Sequence, residues 1–360
     1  MPKCAPVTLS QIARAAGTSI ATVSMSLRNH HAIPEKTRKK VRVEADRLGY
    51  RPDPRFSAMM TYLRSRKDAP FQATIAYLTD FPEREGFRKL HTHSEFFRGA
   101  LERAEKLGFK IEPFWAREPG LSADRLVQIL KSRGIPGVLI TSPVASAWPI
   151  QPDLSDFAVA VIGYSSWAPL YPRACDNHSH AMYLCLQELE RRGAQKIGLV
   201  LSDQDDMNAE HNWLSSYLAH QHGLPAARRV RPLLGPLEQI FRGKVLEKWI
   251  DERKPDAIVG HTNPLLDRLF GLGLKIPKDV SFASLDLFQR DDKLPCSGID
   301  QLSHTVGAAA MDLVAAQIGF GETYGQQQTR LIYLEGEWVD GETAPGIPPS
   351  VKPRRKKPLR

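Results

Sequence analysis

The sequence predicts an α/β chain: a two-lobed body of two doubly wound parallel sheets behind an all-α helix-turn-helix head. Three observations predict it. Strand-like apolar runs alternate with helical segments from residue 71 to the end of the body, while the first 50 residues carry helical patterns alone. At 360 residues the chain exceeds the roughly 250–300 that one core fills. Charge is split: residues 1–67 carry a net +10, residues 68–351 a net −7 and residues 352–360 a net +6, within a total of +9. A basic head and tail around an acidic body point to a polyanionic partner such as nucleic acid.

In the head, Thr8-Leu9-Ser10-Gln11 fits a capping box, and Leu9, Ile12, Ala13 and Ala16 follow at helical spacing. Gly17 suits a left-handed helix exit. A second helix starts near Ser19 with Val23 and Leu27 inward, and a third opens at Pro34-Glu35, buries Val41, Ala45 and Leu48, and stops at Gly49. The second helix is the one expected to enter a major groove. Thr22, Ser24 and Ser26 offer short hydroxyls to phosphates, and Arg28, Arg38, Lys39, Lys40 and Arg42 supply charge.

The body reads in order as strand 73–78, helix 95–107, strand 109–115, helix 122–133, and strands 137–141 and 158–162. Helix 180–192, strand 196–201, helices 208–222 and 237–253, and strand 257–260 follow. Helix 265–272, strand 280–284, helix 306–318 and a terminal strand 329–334 complete the pattern. Such alternation means sheets covered on both faces, with ligands at strand carboxyl ends.

Several classes drop out. No apolar run reaches the ~18–20 residues of a membrane span. No secretory leader is expected at residues 1–10. Cys4, Cys175, Cys185 and Cys296 form no C-x-x-C pair, which suits a reducing cytoplasm. Phosphate-binding loops and a nucleophile elbow are lacking. The pairs His91/His93, His178/His180 and His220/His222 lack a matched third ligand and read as surface, so no metal and no cofactor are expected. The neighbours Asp205-Asp206 and Asp291-Asp292 point apart rather than forming an acid–base pair.

Residues 8–52 resemble the DNA-binding head of the lactose-repressor (LacI/GalR) family of bacterial transcription regulators. The resemblance runs through Thr8-Leu9, Ile12-Ala13, Ala16-Gly17, Ser19, Ala21-Thr22-Val23-Ser24, Leu27, Thr37-Arg38, Val41, Ala45, Leu48-Gly49-Tyr50 and Pro52. It implies a homodimer on a near-palindromic operator, with DNA contacts from Thr8, Ser19, Ile20, Ala21, Thr22, Ser24, Met25, Arg28, Thr37, Arg38 and Tyr50. Base reading falls to Ile20, Ala21 and Met25, where relatives often carry Arg at the last position. Apolar side chains reach thymine methyl groups rather than guanine edges, which implies an unusual operator or more reading of DNA shape. Met25 reads equally as packing on the DNA backbone. Residues 51–66 fall where the family has a hinge helix, and Met59 stands at the position of its minor-groove wedge. Phe56, Met59, Met60 and Leu63 also fit a dimer seam.

The body resembles the family's periplasmic-binding-protein-like effector domain, at Phe96-Phe97-Arg98-Gly99-Ala100, Lys106 to Phe109, Gly137 to Leu139, Asp176-Asn177, Gly193 to Ile197, Ile276 to Val280 and Leu285-Asp286. The resemblance implies a small-molecule effector, a sugar or related metabolite, bound between the lobes. It draws His93, Phe96, Asp176, Trp213, Asn263 and Asp286 into the pocket, and each position also fits a packed core or a solvated rim. The expected domains are a head at 1–52, a linker at 53–70, a body at 71–342 and a basic tail at 343–360. The first lobe takes about 71–172 and 299–328, the second about 173–298 and 329–342. The sequence thus points to an effector-controlled regulator, commonly a repressor, located in the cytoplasm with the nucleoid. It is expected to be no enzyme and no membrane protein. A sugar-active enzyme would need a catalytic constellation, which is not seen. A scaffold that merely dimerises on DNA would show no ligand response.

Overall fold

The head is built from local signals. Thr8 caps α1 (Leu9–Ala16) in a full capping box with Gln11, and Gly17 ends it at φ 63°. α2 (Ile20–Leu27) starts with the Ser19 hydroxyl accepting from the Thr22 N–H at 3.0 Å. α3 (Glu35–Leu48) ends at Gly49, φ 74°. Ile12, Ala13, Ala16, Val23, Val41 and Ala45 close one small core shared by the three helices. The structure is a computed structural model, and the residues described are 7–27, 33–50, 73–141, 149–164, 171–261, 263–287, 295–326 and 329–345. The linker at 53–70, with Met59, and Arg28, Cys4 and the tail from 346 onward lie outside them.

Beyond the head come β1 (Ala73–Thr79), α4 (His91–Leu107), β2 (Phe109–Trp115), α5 (Ala123–Ser132), β3 (Gly137–Thr141), β4 (Ala158–Ile162) and β5 (Arg173–Asp176). Then follow α6 (His178–Arg191), β6 (Ile197–Ser202), α7 (Asp203–Asn208), α8 (Asn212–Gly223), β7 (Leu233–Gly235), α9 (Leu237–Phe241), α10 (Val245–Arg253) and β8 (Ala257–Gly260). The chain closes with α11 (Asn263–Gly271), β9 (Ser281–Ser284), β10 (Ser297–Asp300), α12 (Ser303–Phe320), β11 (Leu331–Leu334) and β12 (Glu337–Val339).

These elements fall into two units. One holds Met1–Gly163, Trp167–Ala174 and His304–Ile332; the other holds Tyr164–Ser166, Cys175–Ser303 and Tyr333–Arg360. Each contains a six-stranded sheet, ordered β2-β1-β3-β4-β5-β11 and β7-β6-β8-β9-β10-β12. Strands β1 to β5 pair in parallel, as do β6 to β10, whereas β12 runs antiparallel to β10. The parallel strands of both sheets share one order, 2-1-3-4-5 in chain sequence. This is a doubly wound arrangement whose direction of winding reverses between β1 and β3, and between β6 and β8. Central strands such as Gly137–Thr141 and Ala158–Ile162 are buried throughout, as parallel strands covered on both faces must be.

Several expectations need correction. The terminal strand assigned to the second lobe lies in the first sheet beside β5, where the Arg173 N–H donates to the Arg330 carbonyl at 2.9 Å. The helix expected at 208–222 is α8, which begins only at Asn212; Glu210 and His211, at φ of 50° and 59°, separate it from the short α7 that was not expected. The one expected at 237–253 also breaks, at Gly243, φ 76°. Ser26 is fully buried in the head, so it offers no hydroxyl to phosphate. His178, expected at the surface, is buried.

Candidate functional site

The head presents one face of α2. Val23 and Ser26 point into the core, which turns Ile20 and Ala21 outward and leaves Thr22, Ser24 and Met25 half-buried. Ile20 is 52% exposed, a large apolar side chain left in water by the head's own packing. Thr8 and Ser19 are exposed, and their hydroxyls hold the first turns of α1 and α2. The Ser19 and Thr22 hydroxyls lie 2.9 Å apart. Thr37 and Arg38 are half-buried in the first turn of α3. Tyr50 packs against the head core, so a structural role comes first there. Arg14, Lys36 and Lys40 are exposed, while Lys39 pairs with Glu35 at 2.8 Å and Arg47 with Glu44 at 2.8 Å. Such exposed pairs are worth about 0–1 kcal/mol. The surface is basic and short-chained around an apolar tip.

A second constellation gathers in the second unit, at the carboxyl ends of its strands. Asp205 follows β6, His261 follows β8 and Asp286 follows β9, so the winding reversal between β6 and β8 lies at this cluster. His261 Nδ1 is 3.2 Å from Asp205 Oδ1, and Nε2 is 3.9 Å from Asp286 Oδ2. Asp205 is itself fixed by the Ser202 hydroxyl, which donates to Oδ2 at 2.6 Å. The loop bearing Asp286 is tied by Ser284 Oγ to the Asp286 carbonyl at 2.7 Å, and by the Leu285 N–H to the Gly260 carbonyl at 2.8 Å. His178, at the start of α6, sets its Nδ1 against the Asp176 carboxylate at the end of β5.

Four rings form a column through this cluster. Tyr164 stacks on His178 at 4.5 Å, His178 meets Trp213 at 4.3 Å, and Trp213 meets His261 at 4.8 Å. Trp213 is 3% exposed, and its indole N–H has no hydrogen-bond partner. Burial disfavours charge on His261, but the Asp205 hydrogen bond and the charges of Asp205, Asp286 and Asp176 outweigh it and raise its pKa above the ordinary imidazole value. Burial likewise opposes charge on Asp205, yet His261 and Ser202 hold its carboxyl below the ordinary value.

The structure thus brings Asp176, Trp213 and Asp286 together, and adds Tyr164, His178, Asp205 and His261, which the sequence reading did not select. His261 was within reach of sequence reasoning, as the first residue past a predicted strand. Asp206 turns away from Asp205 and bonds His211 Nδ1 at 2.7 Å. Asn263 opens α11, and its side chain lies outside the described residues.

His93 and Phe96 occupy a different setting, in the first unit. His93 meets Phe81 at 4.8 Å and Phe96 at 5.7 Å, both edge-on, and Phe96 is 4% exposed. Neighbouring rings Tyr77, Phe87 and Phe97 continue the packing. Burial pushes the His93 pKa down to about 4. Phe96 is a core residue, and His93 is a neutral imidazole at its edge. Among the described residues, no group of three or more His, Cys, Asp or Glu is placed to hold a metal ion. No described helix is long and apolar enough to cross a membrane.

Residues 8–53 match the family model described as bacterial regulatory proteins, lacI family. Residues 186–344 match a periplasmic binding protein-like domain. The chain is 24% identical over 332 residues to the HTH-type transcriptional repressor CytR of Escherichia coli (strain K12), covering 86% of this chain and 89% of that protein. Among solved structures, a complex of the transcriptional regulator CelR with cellobiose aligns with TM-score 0.57 at 18% identity, over 94% of this chain and 99% of that one. The lac repressor dimer bound to operator and the anti-inducer ONPF aligns with TM-score 0.54 at 18% identity, over 95% and 100%. The relatives that match are regulators of transcription, not enzymes.

Proposed function

We infer that this chain, which belongs to the lacI family of bacterial regulatory proteins and is a DNA-binding transcriptional regulator, is a homodimeric repressor controlled by a polyhydroxylated small molecule. One observation carries the reading. The chain joins a basic three-helix head, whose uncharged second helix turns Ile20 and Ala21 to solvent, to a doubly wound unit whose strand ends converge on a polar and aromatic cluster. The first part suits operator DNA, and the second suits a ligand presenting oxygen atoms and an apolar face.

In this reading α2 lies in the major groove with Ile20, Ala21 and Met25 at base edges. Thr8, Ser19, Thr22, Ser24, Thr37 and Arg38 position the head on phosphates. Arg28 and Met59 join them by resemblance. A palindromic operator needs two heads, which supports a homodimer like that in the operator-bound lac repressor structure. The CytR repressor supports repression as the outcome. The cellobiose-bound regulator supports a sugar-like effector held by Asp176, Trp213 and Asp286. Action at the operator places the protein with the nucleoid, in the cytoplasm.

Coupling between effector and operator is reciprocal: whatever factor the effector takes from operator affinity, the operator takes from effector affinity. The test is selection of bound DNA from a random pool, followed by gel shifts with and without sugars. A near-palindromic sequence is expected, with binding lost on deleting residues 1–67. Equal binding to every sequence refutes the reading.

A further inference from the structure

We propose that the head tells bases apart by the 5-methyl group of a pyrimidine, with Ile20 as its reader, so that 5-methylcytosine stands in for thymine and unmethylated cytosine does not. This rests on the operator reading above and names the chemical group recognised there. The argument begins with what α2 lacks. From Ile20 to Leu27 it carries no charged side chain and no side-chain amide. A guanine edge offers two acceptors and is read by a forked donor such as Arg, and an adenine edge is read by Asn or Gln. Nothing on α2 supplies either fork. Its hydroxyls do not replace one. Ser26 is buried and Ser24 half-buried. The Ser19 and Thr22 hydroxyls sit 2.9 Å apart where the helix starts, and Ser19 also accepts from the Thr22 N–H. A hydroxyl bonds donor and acceptor edges alike, so it separates the bases poorly.

What α2 presents is carbon. Ile20 and Ala21 are its first two residues, at the end of a recognition helix that meets base edges. Both are exposed, and Ile20 keeps 52% of its surface in water while Val23, three residues on, is fully buried. An apolar branch facing guanine, adenine or unmethylated cytosine strips water from polar atoms and returns no hydrogen bond, which is unfavourable. Thymine alone of the four bases sets a methyl group in the major groove. Burying that group against Ile20 is favourable through the ordinary apolar effect. 5-Methylcytosine carries the same group at the same ring position, so α2 meets the same surface there.

The charge of the head supplies affinity without choosing the base. Arg14 on α1 and Lys36 and Lys40 on α3 are exposed. A Cβ built on Gly17 would lie 4.0 Å from Nζ of Lys40, so that ammonium stands beside the turn leading into α2, next to the groove-facing end. Phosphate contacts of this kind set register and salt dependence but carry no sequence information. Recognition is thus divided: cations on the flanking helices hold the duplex, and α2 sorts it by methyl group. Two consequences separate this from a merely structural Ile20. Removing a methyl group from the DNA should weaken binding with no change in salt slope. The loss should vanish when the Ile20 side chain is cut back.

The test uses the full-length protein and the operator obtained by selection from a random pool. Each thymine of one half-site, with its counterpart in the other, is replaced by uracil, which keeps the pairing and removes only the methyl group. The same positions are then made cytosine–guanine pairs with and without the 5-methyl group. In at least one position, uracil should bind about fourfold more weakly per half-site, the effect of one buried methyl group. 5-Methylcytosine should bind tighter than cytosine there by about the same factor. Ile20→Ala should bind thymine and uracil operators equally, whereas Ile20→Val should keep most of the difference. The log–log salt slope should be the same for every one of these DNAs. Circular-dichroism melts of both variants should match the unmodified protein, because Ile20 lies outside the head core. Equal binding of thymine and uracil operators at every position overturns the methyl reading but leaves a sequence-specific regulator standing. A methyl effect that survives in Ile20→Ala overturns Ile20 as the reader. Selection that yields no preferred sequence overturns the operator reading and the methyl reading with it.

Discussion

Two glycines of one helix should respond to alanine with opposite signs. A Cβ built on Gly307 of α12 would lie 2.0 Å from the Phe96 carbonyl oxygen of α4, and one on Gly99 of α4 would lie 1.8 Å from the His304 carbonyl oxygen of α12. The helices thus cross with their backbones in contact, each glycine facing the partner's main chain. A Cβ and a carbonyl oxygen need about 3.2–3.5 Å, so the helices must part by more than an ångström. Overpacking of this kind costs about 1–3 kcal/mol, and the higher end applies because backbone cannot rotate aside. Alanine returns about 1 kcal/mol of helix propensity. Gly307→Ala should therefore destabilise the first unit by about 1–2 kcal/mol. Gly319, near the end of the same helix, has nothing within 4 Å of a built Cβ, so only the propensity gain remains. Gly319→Ala should stabilise by about 0.5–1 kcal/mol. At roughly 2–4 °C per kcal/mol, the two variants should melt several degrees apart, on either side of the unmodified protein. Melting of Gly307→Ala at or above the unmodified protein would refute the close crossing.

Thr8→Ala removes the hydroxyl that accepts from the Gln11 N–H, while the residue 8 N–H still donates to the Gln11 side chain, and should cost the head about 1 kcal/mol. It should be seen as weaker operator binding in gel shifts, with the melting of the body unchanged. Tyr217→Phe should destabilise the second unit by about 1–2 kcal/mol in chemical denaturation, because a buried hydroxyl meets the carbonyls of Val230 at 2.7 Å and Ile197 at 2.9 Å. His93 titrates near 4 in the folded chain against 6.5 ordinarily, so its contribution is present above about 6.5 and is lost as pH falls toward 4. His93→Gln should flatten the acid side of the stability profile across that window, as read by melts at half-unit steps; an unchanged profile would remove His93 from the account. Operator affinity should fall steeply with salt, with a log–log slope near −0.9 per phosphate contacted. Lys40→Ala should lower that slope by about one if Lys40 contacts phosphate.

The head was legible because its signals are local. Thr8 with Gln11, Gly17, Pro34 and Gly49 each mark a boundary within four residues of the atoms they satisfy, and each boundary stands. The central strands were legible for the same reason, since a run such as Ala158–Ile162 is apolar from end to end. Short strands escaped. Arg173–Asp176, Leu233–Gly235, Ser297–Asp300 and Glu337–Val339 are three or four residues long and are interrupted by Arg173, Gly235, Gly298 or Glu337, so none shows the apolar run that marks the equally short Ala257–Gly260. Which sheet a strand joins is a non-local question, and that is why Leu331–Leu334 was placed in the wrong one.

The second-unit cluster shows where the limit lies. Its ring column draws Tyr164, His178, Trp213 and His261 from four separate stretches of chain, and no window of sequence contains two of the contacts. His178 was read as surface because a histidine beside Asn177 and Ser179 looks polar; burial became tolerable only through Asp176 and two aromatic faces that the sequence does not put in view. Topology, however, supplied what periodicity could not. In a sheet ordered 2-1-3-4-5, the residues just past the strands at the reversal lie beside each other whatever their type. That rule alone selects the segment after β6, which carries Asp205, and His261 after β8, and so sets an imidazole beside a carboxylate at the strand ends.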